Sequence, residues 1–159
     1  MRSQHFLQLL FISLEVIHSL TASENAGLIK NPQDWAKAQF QDRFGDSDLV
    51  EFTLDLDRDG VPELFLGAKS SIGNGGGEFW VFKKTIDGYL KIGNLGLHPK
   101  AIRTLPPKAG KWRFATFWHM SAGMGTLAIY SYDGRVIRQE SSKEVNSSSP
   151  IVSYICRSK

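Results

Sequence analysis

The segment "DLDRDGVPELFLG", which begins at Asp55, places four carboxylate side chains within nine residues. Asp55, Asp57 and Asp59 alternate with other residues, and Glu63 follows four residues later. Calcium is a hard cation that binds about six to eight oxygen ligands, several of them carboxylates. In a tight loop, alternating residues can direct their side chains to one centre while the residues between them point away. The spacing therefore predicts a calcium-binding loop over residues 55–63.

The other residues of this segment suit the same interpretation. Gly60 allows a sharp turn, because glycine adopts backbone conformations that other residues avoid. The carbonyl of Val61 can supply a backbone oxygen, and Glu63 can complete the shell directly or through water. The loop is not an EF-hand, since Leu66 stands where the bidentate Glu would be, and Pro62 disfavours a helix directly after the turn. We therefore expect a strand, a metal loop and a second strand.

A polar turn without metal is the alternative interpretation of this loop. Asp and Gly are common in turns, because the Asp side chain accepts hydrogen bonds from its own backbone. Four carboxylates so close together would repel one another without a cation, and Arg58 alone does not neutralise them. This repulsion favours calcium over the plain turn.

The loop resembles the calcium loop of FG-GAP and VCBS-type repeats, the Asp-x-Asp-x-Asp-Gly-x-x-Asp pattern of integrin-like propeller blades. It is also similar to the loop of small exported bacterial proteins, in which a Gly-rich turn and a late aromatic hairpin follow, here "GNGGGEFWVF" and "YSYDG". The resemblance implies calcium ligands at Asp55, Asp57, Asp59 and Glu63 and at the Val61 carbonyl. Glu63 replaces the usual last Asp, and one loop cannot build a propeller. The resemblance therefore implies the metal site and not the propeller fold.

A second candidate site lies in the segment "FWHMSAGMG", which contains Trp118, His119 and Ser121. Nucleophilic catalysis by His119 and Ser121 would need a third partner and an oxyanion hole, and the neighbouring sequence supplies neither. The segment "GNGGG" lacks the Lys-Ser/Thr ending of a phosphate loop and is typical of a flexible hairpin turn. We therefore predict that the protein is not an enzyme and that Trp118, His119 and Ser121 form a binding surface.

One helix is predicted over "NPQDWAKAQFQDRF", residues 31–44. Asn31 suits the N-cap, Pro32 suits the first helical position, and Asp34 suits the positive end of the helix dipole. Gly45 is expected to end the helix, because glycine is the common residue at that position.

The rest of the chain alternates between apolar and polar residues, which is typical of strands with one buried face. The predicted strands are "DLVEFTLDL", "PELFLGA", "EFWVFKK", "GYLKIG", "KWRFATFWHM", "TLAIYSY" and "RVIRQE". Asp87-Gly88 and Asp133-Gly134 predict hairpin turns, and a looser segment with three prolines separates the fourth strand from the fifth. The predicted fold is mainly β (α+β): an antiparallel sheet or meander with one N-terminal helix packed on it.

Length and composition predict one domain. The chain has 159 residues, 42% of them hydrophobic, which suffices for a core. Residues 24–140 are predicted to form a single β-rich domain. Residues 141–159 are predicted to form a polar C-terminal tail, in which "IVSYI" either adds an edge strand or stays loose.

Residues 1–23 have the pattern of a secretory signal peptide. Arg2 supplies the positive charge, "FLQLLFISLEVI" supplies the apolar region, and cleavage is expected after Ala22 or Ser23. An amphipathic first helix is the alternative. No later segment is long and apolar enough to cross a bilayer, and the single cysteine, Cys156, cannot form an internal disulfide. We therefore expect a secreted or periplasmic protein that is held together by packing or by metal.

Charge is distributed unevenly along the chain. Residues 34–63 carry nine acids and three bases, whereas residues 64–159 carry five acids and fourteen bases. A basic region attracts acidic partners, and export argues against nucleic acid as one of them. The predicted function is a secreted, calcium-stabilised binding module without chemistry, whose basic C-terminal part meets an acidic envelope polymer or protein. The alternative is a periplasmic inhibitor or immunity protein that plugs an enzyme with its "SAGMG" loop.

Overall fold

Strands dominate the architecture, as the alternating sequence predicts. The structure, a computed structural model, describes residues 27–45 and 48–156, so the predicted signal peptide lies outside the described residues. Helix α1 precedes eight strands, and helix α2 follows them in the described part of the chain. The elements are α1 (Pro32–Phe44), β1 (Leu49–Leu54), β2 (Glu63–Ala68), β3 (Gly77–Thr85), β4 (Gly88–Leu97), β5 (Ile102–Lys108), β6 (Lys111–Ser121), β7 (Met124–Tyr132), β8 (Ile137–Asn146) and α2 (Pro150–Cys156).

The strands form two antiparallel sheets instead of the single sheet expected from the sequence. Sheet 1 has the strand order β1-β2-β3-β4, and sheet 2 has the order β5-β6-β7-β8. Each sheet is a meander, because every strand pairs with the next one along the chain. Apolar side chains of both sheets form one cluster, which includes Phe65 and Phe79 of sheet 1 and Phe114 and Tyr130 of sheet 2. The central core therefore lies between the sheets.

The predicted N-terminal helix is confirmed as α1, and its start follows from capping. The side chain of Asn31 accepts hydrogen bonds from the backbone N–H groups of Gln33 and Asp34, at 3.1 and 3.2 Å. The ring of Phe40 stacks on Trp80 of β3, with the ring centroids 4.1 Å apart. This aromatic contact lies on the face of sheet 1 that points away from sheet 2.

Two elements differ from the expectations drawn from the sequence. The proline-containing segment forms β5, an edge strand whose pairing with β6 becomes irregular after Leu105. Pro106 and Pro107 lack a backbone N–H and fall at this irregularity, as prolines in edge strands do. The C-terminal stretch forms α2, whose Val152 and Ile155 pack against sheet 2. Neither described helix is long and apolar enough to span a membrane.

The meander topology gives the molecule two different ends. The carboxylate end carries the β1–β2 loop and the β5–β6 and β7–β8 turns, because alternate turns of a meander lie at the same end. There the guanidinium carbon of Arg58 lies 5.9 Å from the ring centroid of Trp112. The tryptophan end carries the β6–β7 turn, Trp118 and the β2–β3 connection, and the His119 N–H donates a hydrogen bond to the Gly75 carbonyl.

The β7–β8 turn generates a prediction about pH. Asp133 accepts hydrogen bonds from the N–H groups of Val136 and Arg135 and pairs with Arg138. The bond from Val136 contributes most to a pKa of about 2 for Asp133, below its ordinary value. A lowered pKa stabilises the fold above the unfolded-state pKa, and this stabilisation is lost as the pH falls from about 4 towards 2. We expect Asp133→Ala to lower the urea midpoint at pH 7 and the difference to shrink on acidification.

Asp87→Ala, in the other Asp-Gly turn, controls for the loss of a turn aspartate. A midpoint difference for Asp133→Ala that is the same at pH 7 and pH 2 would contradict the proposed role of the Asp133 charge. Circular dichroism at each pH checks that both variants start from the folded state.

Candidate metal centre

The carboxylate loop, residues 55–63, is anchored at the rim of the central core. Leu56 is buried among the side chains that lie between the two sheets. Arg58 and Gly60 have positive φ angles of 58° and 86°. Glycine adopts this conformation freely, whereas for arginine it costs about 1–2 kcal/mol. The burial of Leu56 therefore fixes the first part of the loop, and the chain turns back sharply at Arg58 and Gly60.

Glu63, the first residue of β2, points into the protein. Side chains alternate along the strand, so Glu63 shares the inner face of sheet 1 with Phe65. Its exposed fraction is 0%, and its Oε2 accepts a hydrogen bond from the Leu56 N–H at 2.8 Å. Its Oε1 has no hydrogen-bond partner among the described residues. Burial raises the pKa of Glu63, and the nearby Asp57 raises it further, so the ionised carboxylate is costly here without a cation.

Three of the four predicted carboxylates converge. One oxygen each from Asp55, Asp57 and Glu63 lies within 4.8 Å of the others. Two oxygens that each lie about 2.4 Å from one calcium ion are at most about 4.8 Å apart, so this spacing is compatible with a shared ion. Asp55 Oδ1, like Glu63 Oε1, is buried without a hydrogen-bond partner in the described part of the chain. A donor set made only of carboxylate oxygens suits a hard cation.

Asp59, the fourth predicted carboxylate, does not belong to this trio, and the Val61 carbonyl as a calcium ligand stays a prediction. Asp59 Oδ2 lies 3.1 Å from the Nζ of Lys83, and Asp59 Oδ1 accepts a hydrogen bond from the Val61 N–H at 2.7 Å. The bond from Val61 and then the bond from Lys83 lower the pKa of Asp59. Asp59 would join the trio only if its side chain turned away from Lys83.

Lys83 of β3 is the charged residue of this site that sequence reasoning missed. Its Nζ lies 2.6 Å from Asp57 Oδ2, 3.1 Å from Asp59 Oδ2 and 3.9 Å from Glu63 Oε1. Burial lowers the pKa of Lys83, but the hydrogen bonds to Asp57 and Asp59 outweigh burial and hold this pKa above its ordinary value. Lys83 is therefore protonated, and the loop has an internal cation.

Strand alternation is the signal that could have found Lys83. Phe79, Val81 and Lys83 share one face of β3, and the first two are buried in the central core. The register of β2 with β3, extended by one pair, brings Lys83 opposite Glu63. A lysine in phase with buried apolar residues indicates an inward charge that requires a partner.

Tyr132, at the end of β7, covers the site from the side of sheet 2. Tyr132 is fully buried, and the Nζ of Lys83 lies 5.6 Å from its ring centroid. Burial and the charge of Glu63 raise the pKa of Tyr132 well above its ordinary value, so the phenol is neutral. The site is therefore built by the loop, by β3 and by a strand of the other sheet.

Large apolar side chains, Trp118 among them, are exposed at the tryptophan end. Trp118, Met120 and Met124 are exposed by 37%, 56% and 37%. The indole of Trp118 lies against Gly96 of β4, where a Cβ atom would come within 2.4 Å of the ring. Trp118 and Met120 line an open groove of about 470 Å³ between β4 and sheet 2. This end therefore presents apolar surface to solvent.

His119, predicted to bind together with Trp118 and Ser121, is not among the residues that line the groove beside Trp118. His119 lines a separate hollow of about 280 Å³ with His98 and Cys156. Burial raises the pKa of the Cys156 thiol, which keeps it in the less reactive protonated form. Ser121 is exposed at the end of β6. The structure therefore places these three residues at one end of the molecule, and their joint binding surface stays a prediction.

Comparisons of the chain with protein-family models, with curated proteins and with solved structures found no match. The resemblance of the carboxylate loop to FG-GAP and VCBS-type loops therefore stays a prediction.

Proposed function

We propose that the protein is a secreted or periplasmic calcium-binding module without enzymatic activity, in which the ion joins two adjacent strands. The observation that carries this proposal is the fully buried Glu63, whose Oε1 has no hydrogen-bond partner among the described residues. Asp55 Oδ1 is likewise buried without a hydrogen-bond partner among the described residues, and Asp57 completes the trio. A divalent cation would give each of these oxygens a partner and would offset the cost of their ionised state.

The positions of the ligands support a structural role for the ion. Asp55 directly follows β1, and Glu63 is the first residue of β2. An ion bound to both residues would join the end of β1 to the start of β2 at the edge of the central core. Metal can stabilise a small exported domain in the way that disulfides do, and this chain has one cysteine. At extracellular calcium levels, a site with a Kd of about 0.1–1 mM would be occupied.

The plain polar turn remains the competing interpretation, and Lys83 strengthens it. The positive charge of the Lys83 ammonium group offsets part of the repulsion between the carboxylates of the loop. The ammonium group forms hydrogen bonds with Asp57 and Asp59, but it lies 3.9 Å from Glu63 Oε1. One positive charge leaves four carboxylates with a negative excess and with two buried oxygens without hydrogen bonds. The remaining negative charge and the two oxygens without hydrogen bonds support the proposal of calcium binding.

Exposed cations support an acidic partner. Lys108 and Lys111 are exposed beside the β5–β6 turn, and Arg135 and Arg138 are exposed beside the β7–β8 turn. Both turns lie at the carboxylate end, and Arg138 pairs with Asp133. A group of exposed cations attracts polyanions through long-range electrostatics. We infer that an acidic envelope polymer or protein binds this basic surface, formed by Lys108, Lys111, Arg135 and Arg138.

A second candidate function is favoured by the tryptophan end. Trp118, Met120 and Met124 form an exposed apolar surface beside an open groove. Aromatic side chains and methionine are enriched at protein–protein interfaces. An inhibitor or immunity protein that plugs a partner enzyme with the β6–β7 hairpin is therefore the alternative.

Thermal unfolding with and without calcium tests the metal site. We expect calcium at about 100 times its Kd to stabilise the native protein by about 2.7 kcal/mol relative to EDTA. Asp55→Asn should lose this stabilisation, because the amide can still accept the Gly60 N–H bond but replaces the unpartnered oxygen with a donor. Asp55 has no contact with Lys83 among the described ion pairs, so this variant leaves the internal cation in place.

Asp87→Asn, at the exposed β3–β4 turn, is the matched control and should keep the full response to calcium. Magnesium in place of calcium tests selectivity, since the smaller ion requires a more regular shell and keeps its water. Equal unfolding midpoints in EDTA and in calcium for the native protein would mean that the loop is a polar turn.

Two double variants separate the candidate binding surfaces. Replacing Lys108 and Lys111 with Ser should reduce retention on a polyanionic resin, because fewer cations contact the polymer, and the loss should be greatest at low salt. Replacing Met120 and Met124 with Ser should leave this retention unchanged. Salt-resistant inhibition of one periplasmic hydrolase that is abolished by the methionine variant, and not by the lysine variant, would instead establish the second candidate.

A further inference from the structure

Lys83 and a bound calcium ion would both use the carboxylate of Asp57. The Nζ of Lys83 lies 2.6 Å from Asp57 Oδ2, and one oxygen of Asp57 belongs to the trio with Asp55 and Glu63. Lys83 is an inward residue of β3 with only 21% of its side chain exposed. The ammonium group is therefore held beside the centre by the strand that carries it.

Each carboxylate of the loop uses one of its two oxygens to accept a backbone hydrogen bond. One oxygen of each accepts a loop N–H: Gly60 donates to Asp55 at 3.1 Å, Asp59 to Asp57 at 3.4 Å, Val61 to Asp59 at 2.7 Å, and Leu56 to Glu63 at 2.8 Å. The second oxygens of Asp57 and Asp59 bind Lys83, whereas those of Asp55 and Glu63 have no hydrogen-bond partner in the described chain. Lys83 thus satisfies half of an arrangement of four oxygens.

A divalent ion that binds the trio must meet this ammonium group. Two cations this close repel each other strongly, because the rim of the core screens charge less than water does. The lysine stem is flexible, so the ammonium group can leave while the strand stays in place. Departure would release Asp57 Oδ2 and Asp59 Oδ2 together, and Asp59 could then turn towards the ion.

We propose that Lys83 is an internal competitor of calcium that sets the affinity of the carboxylate loop. This inference rests on the proposed calcium function and adds its regulation. At low calcium, Lys83 neutralises Asp57 and Asp59 and keeps the loop folded. At high calcium, the ion takes the carboxylates and Lys83 moves out, so the fold exchanges one cation for another.

Displacement of Lys83 would also change its contact with Tyr132 of sheet 2. Its Nζ lies 5.6 Å from the ring centroid of the buried Tyr132, a distance at which a cation is attracted to an aromatic face. Calcium binding would remove this contact. Calcium binding should therefore change the NMR signal of the Lys83 ammonium group. A lysine with a purely structural role would keep its signal unchanged in calcium.

Calcium titration of lysine variants tests the proposal. Lys83→Met keeps the length of the side chain and removes its charge, so we expect its calcium Kd to fall about tenfold, a typical size for coupling between two sites. Lys83→Arg keeps the charge and should bind calcium as the native protein does. Lys84→Met, at the exposed neighbouring position, is the matched control and should also leave the Kd unchanged. In EDTA, Lys83→Met should unfold at a lower temperature than the native protein.

The possible outcomes separate this proposal from the calcium function. Native protein and Lys83→Met with equal calcium Kd, or a Lys83 ammonium resonance that calcium leaves unchanged, would overturn competition and leave the calcium site standing. Calcium binding by Lys83→Met alone would support competition and show that lysine is the resident cation of the native protein. No calcium binding by either protein would overturn both proposals.

A folding defect would also be informative. If Lys83→Met is unfolded in EDTA, recovery of the folded circular dichroism spectrum on addition of calcium supports the exchange of cations. Lys83→Gln is the second variant for this measurement, because its shorter polar side chain is better tolerated at a partly exposed position. If both variants stay unfolded in calcium, the ion cannot replace the lysine and the proposal is overturned.

Discussion

The carboxylate end depends on one electrostatic constraint, which is that two charged residues stand in inward positions of neighbouring strands. Glu63 and Lys83 each occupy the phase of the pleat that elsewhere carries Phe65, Phe79 and Val81. A charge at such a position must find a partner, because burial penalises its ionised state. The backbone turn of the loop and the convergence of its carboxylates provide these inward charges with partners.

The structure also relates the uneven charge of the chain to position in space. The acidic segment includes the carboxylate loop, and four cations of the later segment, Lys108, Lys111, Arg135 and Arg138, lie beside turns at the same end. The opposite end carries exposed apolar side chains, among them Trp118 and Met120. The proposed ion and the proposed polyanion would both bind at one end, and a protein partner would bind at the other. The two surfaces need not compete for the same residues.

The local structure and the proximity of Asp55, Asp57 and Glu63 could be predicted from the sequence, but the assembly of the sheets could not. The Asn31 cap located the helix, and alternation located seven strands, since both signals are local. Alternation predicts which face of a strand a residue occupies but not which sheet the strand belongs to, so the division into two sheets was not predicted. Strand β5 was not predicted either, because it contains Pro106 and Pro107. The orientation of Asp59 depends on Lys83, which lies 24 residues away along the chain and acts only when β3 pairs with β2.

The meander order of sheet 1 has a consequence for how the molecule folds. The carboxylate loop and Lys83 belong to three consecutive strands, β1 to β3, so their encounter needs only short loops to close. Contacts of short sequence separation form quickly, whereas the docking of sheet 2 brings in Tyr132 from a distant part of the chain. We therefore expect the contacts between the carboxylate loop and Lys83 to form before the core is complete. The charged cluster would then act as a nucleus on which the second sheet condenses.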